Sequence, residues 1–299
     1  MFSRRHPYLF FILTFTMIVS TAAIGISLLI AWSIKDADIV GMDKSGEKVG
    51  VIEIAGVISE SKHVIRNLKR YREDDSIKAI VMRIDSPGGA VGPSQEIYRE
   101  IKKTIKAKTV IASLGTLAAS GGYYIASGTN GIIANPGTIT GSIGVIMGYT
   151  DFQQILQKIG LVPIVFKSGA YKDMGSPVRD MTDQEKKILQ GFVDKIHRQF
   201  VRDVAAGRKK DLDEIGRMAD GRIYTGEEAK QLGLVDRLGN LNDSIDWAGQ
   251  LGGIKGKIVV VYAREKKFTL LRYITGTTID ELYNRLVHSI PAGGYLYQP

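Results

Sequence analysis

Cysteine is absent from the 299-residue chain. That excludes disulfides, thiolate metal sites and a cysteine nucleophile. Histidine is scarce, with four residues: His6, His63, His197 and His288. They form no HExxH or other metal-ligand spacing, and none stands at the end of an apolar strand-like run, where the base of a Ser-His-Asp triad is expected. A basic run interleaved with aromatics is also missing. The formal net charge is +9, but the basic residues are scattered, so nucleic acid is not an expected partner. LGGIKGKI (251–258) has glycines and lysines but lacks the phosphate-loop spacing and the hydroxyl residue after its lysine. No metal, nucleotide or other cofactor is expected.

Long apolar runs are lacking too, with one exception. After Arg4 and Arg5, residues 8–32 (YLFFILTFTMIVSTAAIGISLLIAW) carry no charge. A helix needs roughly 20 such residues to cross a bilayer, whereas the apolar core of a cleaved signal peptide is about 7–15 long. The run predicts an uncleaved membrane anchor. Positive charge before it places the N-terminus in the cytoplasm and the rest of the chain outside. The expected organisation is a cytoplasmic N-terminus and anchor over 1–33, a linker over 34–47, a folded domain over 48–263 and a C-terminal extension over 264–299.

Apolar strand-like runs alternate with amphipathic stretches along the domain. Strands are predicted at 49–58, 77–85, 109–115, 161–169 and 257–263, with shorter strand-like pieces in 131–147. Helices are predicted at 59–73, 94–106 and 151–159. Thr182 with Glu185 and Thr225 with Glu228 read as capping boxes that open two more. The first of these would run to about Ala206 and be stopped by Gly207. Residues 278–290 (TIDELYNRLVHSI) have a helix-like pattern. Near-continuous apolar strands separated by helices predict an α/β domain with both sheet faces covered.

TLAASGGYYIA (116–126) raises the chemical question. Ser120 follows a buried strand and precedes two glycines. By ordinary preference such a serine is a helix cap. It can also be a nucleophile, if a base takes its proton and backbone amides receive the oxyanion. Gly121 and Gly122 would leave amides unobstructed. SPGG (86–89) also follows a buried strand, so a parallel sheet would deliver both segments to one edge. Without a suitable histidine the base would be a lysine. Lys167 and Lys172, in VFKSGAYKDMGSP, are both candidates. An Asp173 paired directly with Lys172 would keep that lysine charged, so Asp173 is expected to pair elsewhere. Asp85 reads either as a catalytic acid or as a brace for its turn, and Tyr123 and Tyr124 as packing residues.

Four segments in order, DSPGGAVGPS, TLAASGGYYIA, TGSIGVI and FKSGAYKDMGSP, resemble the short form of the signal peptide peptidase A family. The resemblance runs from about residue 49 to about 245. It implies a Clp/crotonase-like fold of repeated β-β-α units behind an N-terminal transmembrane helix, and a Ser-Lys serine peptidase. It implies Ser120 as nucleophile, Lys172 as general base and Ser142 as the residue orienting Lys172. Gly89 and Gly121 would supply the oxyanion hole. With the resemblance, the membrane expected is the plasma (inner) membrane, with the remaining chain on its extracytoplasmic face. The resemblance also implies peptide substrates left from signal sequences, and a homo-oligomeric ring in which neighbouring chains share a dyad. The alternatives are a related Ser-Lys protease with one dedicated protein substrate, a crotonase-like acyl-CoA enzyme and a catalytically silent membrane scaffold.

Overall fold

The computed structural model describes residues 6–38, 47–263 and 294–296. The chain divides into two compact units, residues 1–45 and 46–299. The first contains helix α1 (Pro7–Asp38). Its segment Pro7–Gly25 is long and apolar enough to cross a membrane, and none of that segment is buried within the protein. The helix continues beyond the apolar run through Asp38.

The second unit is built on one sheet. Strands β1 (Lys48–Ala55), β2 (Ile77–Ser86) and β4 (Thr109–Ala119) form its centre, all parallel. β9 (Val259–Tyr262) adds parallel to the outer edge of β1. β4 forks. Its first half pairs with β5 (Gly131–Ala134) and its second half with β6 (Ile139–Gly141). β5 carries β8 (Arg237–Leu238), and β6 carries β7 (Ile223–Thr225), the one antiparallel neighbour in this described sheet.

The period of two along each central strand feeds two cores. Val51, Val81 and Ile111 lie side by side on one face and pack with Ile245 and Ala248 of α9 (Leu241–Leu251). Ile52, Ile54, Ile80, Met82, Ile84 and Leu114 fill the other face. That face is covered by α2 (Lys62–Glu73), α3 (Val91–Thr104), α4 (Gly121–Ser127) and α6 (Asp183–Arg208). With both faces buried, polar alternation disappears from the strands, which explains their unbroken apolar runs. Burying each such side chain contributes roughly 1.5–3 kcal/mol.

Several expected elements differ. The first strand ends at Ala55, because Ile58 leaves it to bridge Gly89. SPGG does not remain a turn. Gly88–Ala90 is a short strand, β3, bonded to Ile58 on one side and antiparallel to β10 (Gly294–Leu296) on the other. Helix α5 spans only Gln153–Lys158. The strand expected at 161–169 does not form. Those residues pair with no described strand, and Val162, Ile164 and Phe166 are exposed by 80%, 78% and 95%. Apolar β-formers make a strand only where a neighbour satisfies their backbone groups. The helix-like stretch 278–290 lies outside the described residues.

Both capping boxes form, at Thr182 with Glu185 opening α6 and at Thr225 with Glu228 opening α8 (Gly226–Gln231). Gly207, expected to stop α6, lies inside it. The helix continues through Arg208 and ends on Lys209 in a left-handed conformation. Gly207 serves packing instead. A Cβ there would stand 2.0 Å from the carbonyl oxygen of Ser127, so α6 rests directly on the end of α4. In an open helix, Gly→Ala stabilises by roughly 1 kcal/mol. Gly207→Ala should do the reverse and destabilise by about 1–3 kcal/mol through overpacking. Urea unfolding of the two proteins checks the sign, and a more stable variant would contradict this packing.

Candidate active site

Parallel pairing delivers the chemistry-bearing residues to one edge. β2 and β4 are in register as far as Ser86 opposite Ala118, with an irregularity between Ile84 and Ser86. Asp85 closes that irregularity, its Oδ1 accepting the Leu117 N–H at 3.1 Å. Of the two roles its position allowed, it takes that of a brace for the strand ends. β6 then aligns Gly141 with Ala119. Ser86, Ser120 and Ser142 therefore all lie at the C-terminal ends of adjacent strands.

Ser120 is held in an unusual backbone conformation, with φ 51° and ψ −118°. Its N–H donates to the Gly141 carbonyl at 2.8 Å, and its own carbonyl accepts the Tyr124 N–H at 2.8 Å. One bond ties it to the sheet and the other starts α4, so the chain must turn sharply at this residue. The side chain is 1% exposed, and its Oγ has no hydrogen-bond partner. A buried, unpaired hydroxyl costs free energy and calls for an explanation. Ser120 is not the side-chain cap of α4 that ordinary preference suggested.

The glycines around it permit close approach. A Cβ on Gly121 would stand 2.7 Å from Ser94 Oγ and 3.3 Å from the Gly89 nitrogen. A Cβ on Gly89 would stand 2.2 Å from the Ile58 carbonyl oxygen. The start of α4 and β3 therefore meet backbone to backbone beside Ser120. Ser86 orients the connection, its Oγ accepting the Gly88 N–H at 3.1 Å. On the other side of β3, Tyr295 is the register partner of Gly89.

The aromatic pair after Ser120 forms the floor. Tyr123 donates to the Leu234 carbonyl at 2.9 Å, and burial pushes its phenol well above the ordinary value. Tyr124 bonds Asp203 and packs between Tyr98 and Phe200, with ring centroids 4.9 and 5.0 Å away. Burial raises the Tyr98 phenol to about 12. Tyr98 and Tyr123 therefore stay protonated at neutral pH, and all three tyrosine rings act as packing.

Ser142 is buried, at φ 49°, and its N–H donates to the Arg222 carbonyl at 2.8 Å. Lys172 sits on an exposed turn, its N–H bonded to the Gly169 carbonyl at 3.2 Å. A single chain does not bring Lys172 into hydrogen-bonding contact with Ser120, whose Oγ has no partner. Lys167, the other candidate, is engaged. Its Nζ bonds Asp173 Oδ1 at 2.7 Å and the Ala170 carbonyl at 3.1 Å. Asp173 is further bound by Arg179, and these bonds, from Arg179 first and then Lys167, hold its carboxyl far below the usual range. Arg179 was not singled out by sequence reasoning. The available signal was its place just ahead of the Thr182–Glu185 capping box.

Strain at Ser120 can be measured. A non-glycine residue in such a conformation costs about 1–3 kcal/mol. Ser120→Gly should therefore unfold about 1 kcal/mol later in urea than Ser120→Ala, despite glycine's greater freedom in the unfolded chain. If the alanine variant is the more stable, the backbone there is not strained.

Comparison with known proteins adds the lineage. The model of peptidase family S49 matches residues 102–255, and that of the Clp protease family matches residues 49–140. A Synechocystis protein named as a protease is 44% identical over 77% of this chain and 83% of its own length. A Methanocaldococcus jannaschii protein, also named as a protease, is 31% identical over 92% of each chain. An Enterococcus faecium protein named as a signal peptide peptidase SppA is 37% identical over 68% of this chain and 63% of its own. The chain belongs to peptidase family S49, a serine peptidase with a Clp-type α/β fold.

Proposed function

We propose that this chain is a membrane-anchored Ser-Lys endopeptidase that clears signal-peptide remnants and similar membrane-derived peptides. The observation that carries the reading is Ser120: a buried hydroxyl without a partner, held by strained backbone where β3 and α4 approach each other. The relatives' protease names, and the signal peptide peptidase name of one, support the reaction class and the substrate. Membership of S49 leaves the acyl-CoA enzyme without support.

In this reading an extended peptide binds along β3 in place of the chain's own Gly294–Leu296, which runs antiparallel on that edge. Strand addition supplies backbone bonds regardless of sequence, which suits varied apolar peptides. Neutral Lys172 takes the proton from Ser120 Oγ as that oxygen attacks the scissile carbonyl carbon. The tetrahedral oxyanion receives the N–H groups of Gly89 and Gly121. The C–N bond then breaks, and the Lys172 ammonium gives its proton to the leaving amine. An ester to Ser120 remains. Lys172 next deprotonates a water, which attacks the ester carbonyl; the C–Oγ bond breaks, the peptide carboxylic acid leaves, and the Lys172 ammonium returns its proton to Ser120 Oγ. Ser142, on the strand next to Ser120, orients the lysine.

Lys172 comes from a neighbouring copy in a ring. Two observations support this. Lys172 is exposed and does not meet Ser120 within one chain. The segment that carries it exposes Ile159, Val162, Ile164, Val165 and Phe166, an apolar surface typical of contacts between chains. The apolar helix Pro7–Gly25 anchors the N-terminus in the inner membrane, and the peptidase unit lies on the extracytoplasmic face.

The detergent-solubilised oligomer should hydrolyse a fluorogenic peptide with an apolar residue before the cut. Ser120→Ala and Lys172→Ala should each lower kcat/KM by about 10³-fold or more. Co-assembled from equal amounts of the two variants, roughly a quarter of sites would regain both groups. Recovery towards that level supports shared sites. Activity that stays at the single-variant level in confirmed mixed oligomers places both groups in one chain.

A further inference from the structure

We infer that Arg179 is a positioning residue for Lys172: it fixes the lysine's loop to the start of α6 and removes the adjacent Asp173 carboxylate as a partner for the lysine. This rests on Lys172 being the base.

The segment between α5 and α6 has no regular strand or helix, and many of its side chains are exposed. Something must hold it in one shape for Lys172 to arrive reproducibly at a site. Arg179 uses its guanidinium fork for this. Nε donates to Asp173 Oδ2 at 2.8 Å and Nη2 to Oδ1 at 2.9 Å. Nη2 also reaches the Asp173 carbonyl at 3.2 Å. From the other side Nη1 and Nη2 donate to the two oxygens of Glu185 at 3.0 and 2.6 Å. Glu185 is itself buried and fixed. Its Oε2 accepts the Thr182 N–H at 2.9 Å and the Thr182 hydroxyl at 3.0 Å, completing the capping box. The chain is therefore tied from Asp173 through Arg179 to the first turn of a 26-residue helix. Only a guanidinium provides two parallel bonds to each of two carboxylates.

The same bonds settle the charge. The charged groups on this segment are Lys167, Lys172, Asp173, Arg179 and Asp180, and α6 presents Asp183, Glu185 and Lys186 in its first turn. Asp173 is held by Lys167 and Arg179, Glu185 by Arg179, and Asp183 by Lys186. Among the described residues the Lys172 ammonium has no ion-pair partner. Asp173 is next to it in the chain. Released from Arg179, that carboxylate keeps only Lys167 as a partner, on Oδ1, and its other oxygen can turn to Lys172 and hold it protonated, which a general base cannot accept.

Competitive acetylation of the full-length oligomer across pH, read by mass spectrometry at Lys172, follows that amine directly. Done in a Ser120→Ala background, it needs no proteolysis. Arg179→Met should move the midpoint of Lys172 reactivity up by about one pH unit, the shift a neighbouring carboxylate commonly causes. Adding Asp173→Asn to Arg179→Met should return the midpoint to that of the parent. In the Ser120-containing enzyme, Arg179→Met should lower kcat more than it raises KM and move the acid limb of the pH profile upward. The second substitution should restore the limb. An unchanged midpoint in Arg179→Met, or one that Asp173→Asn does not restore, overturns the inference. If Arg179→Met does not fold, Asp173→Asn with Arg179→Lys removes the carboxylate while keeping a cation. A Lys172 midpoint at the parent value together with a lowered kcat, from the loosened loop, supports the inference, and a raised midpoint or a parent-like kcat in the folded protein overturns it. Full activity in Lys172→Ala would refute the dyad, while the acetylation result would still decide what Arg179 does.

Discussion

The parallel register of β2, β4 and β6 is the constraint on which the rest depends. Strands that run the same way end at the same edge, and this register aligns Ser86 with Ala118 and Gly141 with Ala119. It therefore puts the β3 glycines, Ser120 and Ser142 together although they are far apart in the chain. The alternating apolar side chains that fix the register are buried on both faces, and slipping by one residue would exchange the two cores. Stability of the sheet and placement of Ser120 are thus one property.

Strain is concentrated where this register meets α4. Ser120 and Ser142 both adopt positive φ, on neighbouring strand ends. Each is held by backbone bonds to the next strand, Ser120 to Gly141 and Ser142 to Arg222. On the proposed account, a hydroxyl kept buried and unpaired on such a backbone is preorganised for a partner from a neighbouring chain. In that account, the exposed apolar residues from Ile155 to Phe166 and Lys172, which has no ion-pair partner among the described residues, are the complementary half. On the proposed account neither half is useful alone, and assembly completes both at once.

Much of this was legible in the sequence. The central strands were readable because burial on both faces leaves unbroken apolar runs. The capping boxes were readable because their hydrogen bonds are local. Ser120 and the glycines beside it were visible as a motif, and the family followed from four motifs in order. What failed depends on distant partners. Residues 161–169 have strand-like composition but no described strand to pair with. Gly207 looks like a helix stop, yet its role is set by Ser127 on another helix. The β3 strand exists because Ile58 and β10 flank it, which no local pattern announces. Arg179 is one arginine among many until Asp173 and Glu185 are seen on either side of it.

The central claim is that Ser120 is the nucleophile and that Lys172 activates it. Its most direct test is covalent trapping of the intact oligomer with a fluorophosphonate, followed by peptide mapping. The account predicts a single adduct on Ser120 that is abolished or greatly slowed in Lys172→Ala. An adduct on another serine, or equal labelling of Ser120 without Lys172, would contradict it.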